Sequence, residues 1–395
     1  MFSHLQIYDP RERWLVGAAD ALLSVPAGVT RLLPGRKPAS PPKRILLLRL
    51  ERIGDLLMSA PAIAAVRQFA PTARIELVVG SWNASLARLI PGVDSVETLD
   101  APWLARGADG ATNRALLQQA WHWRARHYDL AINFEGDIRS HGLMALSGAP
   151  RRAGFDMAGG GPLLTMRVPF SPDEHTTANA WRLVRAAFNA GAEARTPFRL
   201  LPSVDAAKHA EGLIAPFAGR PIIAVHASGG RAIKQWPVSR FAEVAARVAV
   251  EEKAVLLLTG TTGDRAIVDE VRRALPSSIE VLDLVGEVDL PVLAAMLSRC
   301  RLLITGDTGP MHLAAAVGTP IVAVFGPSMP WRYAPISAPH RIVRIDLPCA
   351  PCNRIRLPPV RCQGHTPDCL EGVTVDLVHQ AARSLLLEAG TRNLA

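Results

Sequence analysis

The sequence predicts an α/β protein made of two similar halves, each a parallel β-sheet covered by helices on both faces. Three observations carry this. At 395 residues the chain exceeds the usual size of a single core, so two domains are the first expectation. From Lys43 onward short apolar runs alternate with amphipathic stretches, the rhythm of βαβ units. That rhythm halts in a Pro/Ala-rich segment from Thr196 to Pro221, the candidate hinge, and then restarts.

Residues 1–42 read as an appendage. Trp14, Leu15, Ala18, Leu22 and Val25 share one face at helical spacing, with Arg11, Asp20 and Ser24 elsewhere, which predicts a surface helix. Asp20 interrupts the apolar stretch, and Asp9, Arg11, Glu12 and Arg13 form a mixed flank, which argues against a signal peptide. The run LPGRKPASPPKR can neither continue a helix nor pair in a sheet, so it reads as a linker.

RILLLRL is then the first strand of a compact domain, followed by an amphipathic stretch through Val66 to Phe69. RIELVVG, SWNASLARLI and VDSVETL continue the alternation, and YDLAINFEG ends a further strand at Glu135 and Gly136 before a short helix to Ser147. The second half opens with PIIAVHAS and a helix carrying Phe241, Val244, Ala245 and Val248. AVLLLTG, IEVLDLVG, RLLITGDT and PIVAVFGP complete it. The expected division is therefore an appendage (1–42), two Rossmann-like domains (43–200 and 201–345) with a cleft between the carboxyl ends of their strands, and a Cys-containing segment with a final helix (346–395).

Composition narrows the function. With 49% hydrophobic and 20% charged residues, wholesale disorder is excluded, and 30 Gly and 32 Pro spread without a period exclude a collagen-like chain. The best apolar stretch, Leu313 to Gly326, is broken by Gly318, Thr319 and Pro320 and is too short to span a bilayer. The net charge is +9, yet Lys37, Lys43, Lys208, Lys234 and Lys253 are the only lysines among 44 basic residues. No basic run is interleaved with aromatics, so no nucleic-acid partner is expected, and anionic small molecules or a membrane surface fit better. Cys300 stands alone while Cys349, Cys352, Cys362 and Cys369 crowd one late segment, which is no secreted disulfide framework. A reducing compartment, the cytoplasm, is the expectation.

Four loops sit where strands run into helices, the place where open α/β sheets bind ligands. In ERIGD, Asp55 presents a carboxylate at a helix start, either as a plain cap or as a reactive group. In HASGGRAIKQWP, Ser228, Gly229 and Gly230 let backbone N–H groups approach an anion, and Lys234 adds a positive charge, with Trp236 as a packing anchor. In TGDTGPMHLAAAVGTP, the N–H groups at the start of a small-residue helix, with Asp307, Thr308, Gly309 and His312, suit a diphosphate. In TGTTGDR, Asp264 is placed either to accept hydrogen bonds from a ribose or to cap a helix. No GxGxxG or GxxxxGK[ST] occurs in these loops, which counts against nicotinamide enzymes and P-loop NTPases.

RILLLRLERIGDLLMSAPAIAAVR, LAINFEGDIRSHGLMALSGAPRRAGF, IIAVHASGGRAIKQWPVSRFAEVA and above all GDTGPMHLAAAVGTPIVAVFGP resemble the heptosyltransferases of glycosyltransferase family nine, over roughly Lys43 to Pro330. The resemblance implies a GT-B fold, inverting transfer from a nucleotide-activated heptose, usually ADP-heptose, to the lipopolysaccharide core, no cofactor and no metal requirement. It places Asp55 where the family's catalytic base lies, Lys234 at its phosphate-binding lysine, and Asp307, Thr308, Gly309 and His312 in its nucleotide-sugar motif. Ala227 departs from the family's proline after the loop histidine, and Asp264 stands where a glutamate is usual.

The chemistry agrees, since inverting transfer needs a base for the acceptor hydroxyl and positive groups for the departing diphosphate. The competing functions are a sugar-nucleotide epimerase of the same architecture and a non-catalytic binder of anionic lipid or nucleic acid. The expected partners are a nucleotide-sugar donor and a lipid-linked saccharide acceptor, met at the inner face of the inner membrane. Residues 1–44 carry seven Lys/Arg against three acids beside the apolar helix face, which predicts a peripheral membrane contact. The spacing of Cys349 and Cys352, with Cys362 and Cys369, also raises a four-thiolate zinc site against the alternative of small buried thiols.

Overall fold

The computed structural model describes residues 2, 5–32, 41–104, 112–191 and 198–392. Most of the expected linker (33–40) and the first two residues of the expected hinge (196–197) lie outside them. The chain divides into two units, Met1–Pro197 and Phe198–Ala395.

In the first unit the strands are β1 (Arg44–Arg49), β2 (Arg74–Val79), β3 (Ser95–Thr98), β4 (Leu130–Asn133), β5 (Arg151–Phe155) and β6 (Met166–Val168). They pair in parallel in the order β3-β2-β1-β4-β5-β6. Both faces of the central strands are covered, which is why RILLLR reads as an unbroken apolar run: after Arg44 every residue of β1 is buried. The helices are α1 (Pro10–Leu32), α2 (Ile53–Phe69), α3 (Ala84–Ala87), α4 (Asn113–His122), α5 (Ile138–Leu146) and α6 (Thr176–Phe188). α2 packs on α6, where Thr177 Oγ1 donates to Met58 O at 2.7 Å and the rings of Phe69 and Phe188 stack 5.3 Å apart.

In the second unit β7 (Ile222–His226), β8 (Val255–Leu258), β9 (Val281–Asp283), β10 (Leu302–Gly306), β11 (Ile321–Val324) and β12 (His340–Val343) repeat the pattern, in the order β12-β11-β10-β7-β8-β9. Counted from its own first strand this is again 3-2-1-4-5-6, so each unit has the doubly wound order with a switch point, β1/β4 in one and β7/β10 in the other. The helices are α7 (Val204–Ile214), α8 (Val238–Glu252), α9 (Arg265–Ala274), α10 (Leu290–Arg299), α11 (Gly309–Val317), α12 (Pro330–Tyr333), α13 (Asp368–Glu371) and α14 (Val375–Arg392). The final segment folds into this unit: Cys369, Leu370, Val373, Val378, Ala382, Leu385 and Leu386 share one buried cluster with Trp236, Phe241 and Val244. Trp236 is thus a core residue, its Nε1 donating to Val373 O at 3.0 Å and its ring edge-on to Phe241.

α1 lies on the first unit. Asp20 Oδ1 accepts the Gly160 N–H at 2.7 Å, and Val16 covers Gly159, where a Cβ would stand 2.2 Å from its Cγ1. Gly159 and Gly160 have φ of +87° and +79°, so glycine serves both the backbone and the helix above it. The docked face is the opposite of the apolar one: Trp14, Leu15, Leu22 and Val25 remain 56%, 62%, 76% and 71% exposed.

Candidate functional site

At the β1/β4 switch point of the first unit, β1 ends in Arg49, and the chain turns through Leu50, Glu51 and Arg52 into α2. Asp55 is the third helical residue, with Arg52 as the N-cap, so the cap reading shifts in register. Asp55 Oδ2 accepts the Arg52 N–H at 3.2 Å, the reciprocal half of a capping box. Trp82 Nε1 and Asn83 Nδ2 both donate to Glu51 O, at 2.9 and 2.8 Å, and pin the turn from the side.

Arg49 is the buried centre of this site, with its side chain 4% exposed. Its Nε donates to Asp55 O at 3.1 Å, its Nη1 donates to Phe134 O at 2.8 Å and pairs with Glu51 Oε2 at 2.8 Å, and its Nη2 stands 3.7 Å from Asp55 Oδ1. Glu135, just past β4, is buried and accepts the Leu50 N–H on Oε1 at 2.5 Å. Burial, and then the nearby Glu51 carboxylate, push its carboxyl up to about 8 against the pull of Arg49. Sequence reasoning missed both residues. Arg49 reads as a polar end to an apolar strand and Glu135 as the terminus of YDLAINFEG, and only the crossover that sets β1 beside β4 brings them together.

The second unit gathers its candidates at the β7/β10 switch point. Lys234, in a short 3₁₀ turn (Ala232–Lys234), bonds Asp307 Oδ2 at 2.7 Å, and Ser328, in the loop after β11, donates to the same oxygen. Burial alone would raise the Asp307 carboxyl, but the Lys234 ammonium and the Ser328 hydroxyl outweigh it and hold the group below the usual carboxylate range. Thr308 is the N-cap of α11, and its Oγ1 shares a hydrogen bond of 3.1 Å with Thr305 Oγ1. Gly309 opens α11, and His312 is buried in its first turns. Ser328 was not foreseen, because its signal is only its position after the fifth strand of that half.

Two of the loop amides expected to face an anion are engaged within the protein. Gly229 N donates to Gln235 Oε1 at 2.7 Å, and Gly230 N to Ser228 Oγ at 3.4 Å. Gln235 turns its Nε2 to Ala227 O and Trp236 O, at 2.7 and 2.8 Å, so this side chain shapes the loop that carries Lys234. Gly229 is needed for close approach: a Cβ there would stand 2.8 Å from Gln235 N. Ser228 also reaches Asp264, and Asp264 Oδ2 accepts the N–H and hydroxyl of Thr261 at 2.8 and 2.7 Å. Burial opposes its charge, but these bonds prevail and keep its carboxyl below the usual value. Asp264 is therefore a turn cap tied to Ser228. His226, at the end of β7, is buried, which lowers its pKa, and its Nδ1 lies 3.2 Å from Thr259 O.

Of the two readings raised for the four late cysteines, the structure does not show the four-thiolate site. Among the described residues no group of three or more His, Cys, Asp or Glu side chains is placed to hold a metal ion. Cys369 is buried in the core, whereas Cys349, Cys352 and Cys362 are half-buried. Burial first, and then the neighbouring Cys352, Cys362 and Cys349, push the Cys369 thiol up to about 11.

Comparison with known proteins shows what the chain is similar to. The profile described as "Glycosyltransferase family 9 (heptosyltransferase)" matches residues 117–358. Lipopolysaccharide heptosyltransferase 2 of Salmonella typhimurium is 27% identical over 320 residues, covering 76% of this chain and 88% of its own. The structure of E. coli ADP-heptose lipopolysaccharide heptosyltransferase II superposes with a TM-score of 0.71 at 22% identity, over 88% of this chain and 99% of that one. E. coli heptosyltransferase WaaC with ADP-2-deoxy-2-fluoro heptose gives 0.63 at 20% identity, over 86% and 99%. The fold is thus the GT-B fold that the sequence implied.

Proposed function

Because this chain belongs to glycosyltransferase family 9, the heptosyltransferases, we propose that it transfers heptose from ADP-heptose, with inversion, to a saccharide of the lipopolysaccharide core carried on lipid. The observation that carries the reading is the division of labour between the two switch points: a carboxylate held by a buried arginine in one unit, and a lysine beside a helix N-terminus in the other. The relatives' ADP-heptose names and the fluoro-heptose complex support the donor.

In this reading Asp55 takes the proton of the acceptor hydroxyl as that oxygen forms its bond to the anomeric carbon. The bond from that carbon to the diphosphate breaks, and ADP leaves with the electron pair. An ammonium has three donors and Asp307 uses one, so Lys234 has others for the diphosphate, beside the N-terminus of α11. Thr308, Gly309 and His312 line that helix start, and Ser228, Gly229, Gly230 and Asp264 shape the neighbouring loop wall.

The lipid-linked acceptor implies work at a membrane surface, and the exposed apolar face of α1 supports a peripheral contact there. No helix among the described residues is long and apolar enough to cross a membrane. The test of the transfer is ADP release from ADP-heptose with and without a core acceptor. A transferase releases ADP only with acceptor, an epimerase consumes donor without it, and a binder releases none. Asp55→Asn keeps a side-chain oxygen for the Arg52 N–H, so the fold should survive while turnover falls on the order of 10² to 10⁴-fold. A normally melting Asp55→Asn that turns over within about threefold of the parent returns Asp55 to a cap.

A further inference from the structure

Glu135 is a buried carboxyl that the transfer as described does not use. Its Oε1 holds the Leu50 N–H, and its own N–H donates to Asn133 Oδ1 at 3.1 Å. Asn133 Nδ2 in turn donates to Ser140 Oγ and His141 Nδ1, both at 2.9 Å, and His141 Nε2 donates to Phe155 O at 2.7 Å. Glu135 is therefore fixed from β4, β5 and α5 together, on the floor beneath the Arg49–Glu51–Asp55 turn. Arg49, just before that turn, bonds backbone from two segments and faces two carboxylates.

We propose that Arg49 and Glu135 are positioning residues for Asp55: Arg49 holds the carboxylate and the first turn of α2, and Glu135, by holding the Leu50 N–H from below, fixes the strand end from which the guanidinium reaches Asp55. The proposal rests on the reading of Asp55 as the base. With Glu135 protonated, one guanidinium serves two carboxylates, Glu51 and Asp55. With Glu135 ionised it serves three, and the added charge sits where water cannot screen it. The other charges that face Glu135 leave this count unchanged. Asp137 raises its pKa further, Arg139 is paired with Asp137 and also senses Glu12 of α1, and burial keeps His141 neutral. Glu135, with its pKa near 8, thus holds its proton at neutral pH and releases it in the mildly alkaline range.

The sign of the linked stability follows. The folded chain keeps a proton that an unfolded glutamate, titrating near 4.3, has lost, so stability falls as pH rises from that value through about 8. Three variants of the full chain test the proposal, assayed for turnover with a delipidated core acceptor and for melting temperature from pH 5 to 9. The parent should show an alkaline fall in turnover near pH 8, and Glu135→Gln, whose amide oxygen still accepts from Leu50, should move that limb up by more than one unit and flatten the stability slope. Arg49→Lys, which has no planar fork to span backbone and carboxylates, should lower kcat on the order of 10 to 100-fold with the donor KM within about twofold. Superimposable pH profiles for parent and Glu135→Gln overturn the proposal, and that variant keeps it testable if Arg49→Lys fails to fold. An inactive Asp55→Asn beside Arg49→Lys at parental kcat overturns the positioning role alone. An active Asp55→Asn overturns the base assignment and this proposal with it.

Discussion

Lys234 and Asp307 satisfy each other in the second unit, and that pairing changes what a substitution at either one reports. Their side chains are only 18% and 12% exposed, so Lys234→Ala removes the proposed phosphate ligand and also leaves Asp307 buried without its counter-charge, a change that costs about 3–5 kcal/mol in comparable pairs. The sign with pH separates the two effects. Asp307 is held below its ordinary value by Lys234, so the pair's contribution is present above that ordinary value and is lost as pH falls through the lower, folded one. Lys234→Ala should therefore melt well below the parent at pH 7 and close much of the gap only below the ordinary carboxylate range, at about pH 3, while calorimetry at neutral pH shows weaker ADP binding. Equal melting deficits at both pH values contradict the buried-pair account, and unchanged ADP affinity contradicts the phosphate role. The residues named by motif were legible because their types suit the chemistry in sequence order. Arg49, Glu135, Gln235 and Ser328 were not, because each acquires its meaning from a partner that the sheet crossover brings to it.

The loop after β7 does its work as one element. Gln235 closes it by bonding Gly229 N, Ala227 O and Trp236 O, and Trp236 anchors its far end in the core. Gly229→Ala would push a methyl group into the backbone of Lys234 and Gln235, both within 2.8 Å of the ideal Cβ, and neither neighbour can yield without moving the turn that aims Lys234. The expected outcome is a donor KM raised on the order of 10-fold with the melting temperature nearly retained, since the loop lies beside the core rather than in it. A Gly229→Ala enzyme with parental donor KM would show that the loop tolerates the shift. Most elements could be read from the sequence, because strands buried on both faces leave unbroken apolar runs. β5, β6 and β12 could not. β5 begins with two arginines, β6 has three residues, and three of the four residues of β12 are only half-buried, so none leaves an apolar run or a clean alternation. The stretch SWNASLARLI, with its helical pattern, forms only a 3₁₀ turn and the four-residue α3.

The whole chain carries a net charge of +9, and α1 concentrates apolar surface that no described residue of the first unit covers. The sequence predicts a surface helix that meets a membrane, and the structure shows which of its faces packs on the body and which is exposed. Val16 and Asp20 face the body through Gly159 and Gly160, while Trp14, Leu15, Leu22 and Val25 point outward. The loop it docks on follows β5, at the same carboxyl edge of the sheet that carries Asp55 and Glu135. A bilayer engaged by α1 would thus lie close to the edge at which a lipid-linked acceptor must present its hydroxyl. Fully burying one such large apolar side chain contributes roughly 1.5–3 kcal/mol, and basic residues near an anionic surface add about 1 kcal/mol each, screened by salt. The full chain should therefore sediment with vesicles containing phosphatidylglycerol, bind phosphatidylcholine vesicles more weakly, and release partly as salt rises. Leu15→Glu/Leu22→Glu, two exposed positions that leave the Asp20 contact intact, should cut vesicle binding at least on the order of 10-fold and lower turnover on a vesicle-embedded acceptor, with turnover on the delipidated acceptor as the parent's. Vesicle binding equal to the parent's would mean that another surface meets the lipid. A parent that light scattering shows to be dimeric, beside a monomeric double variant, would instead assign this face to a second copy of the chain.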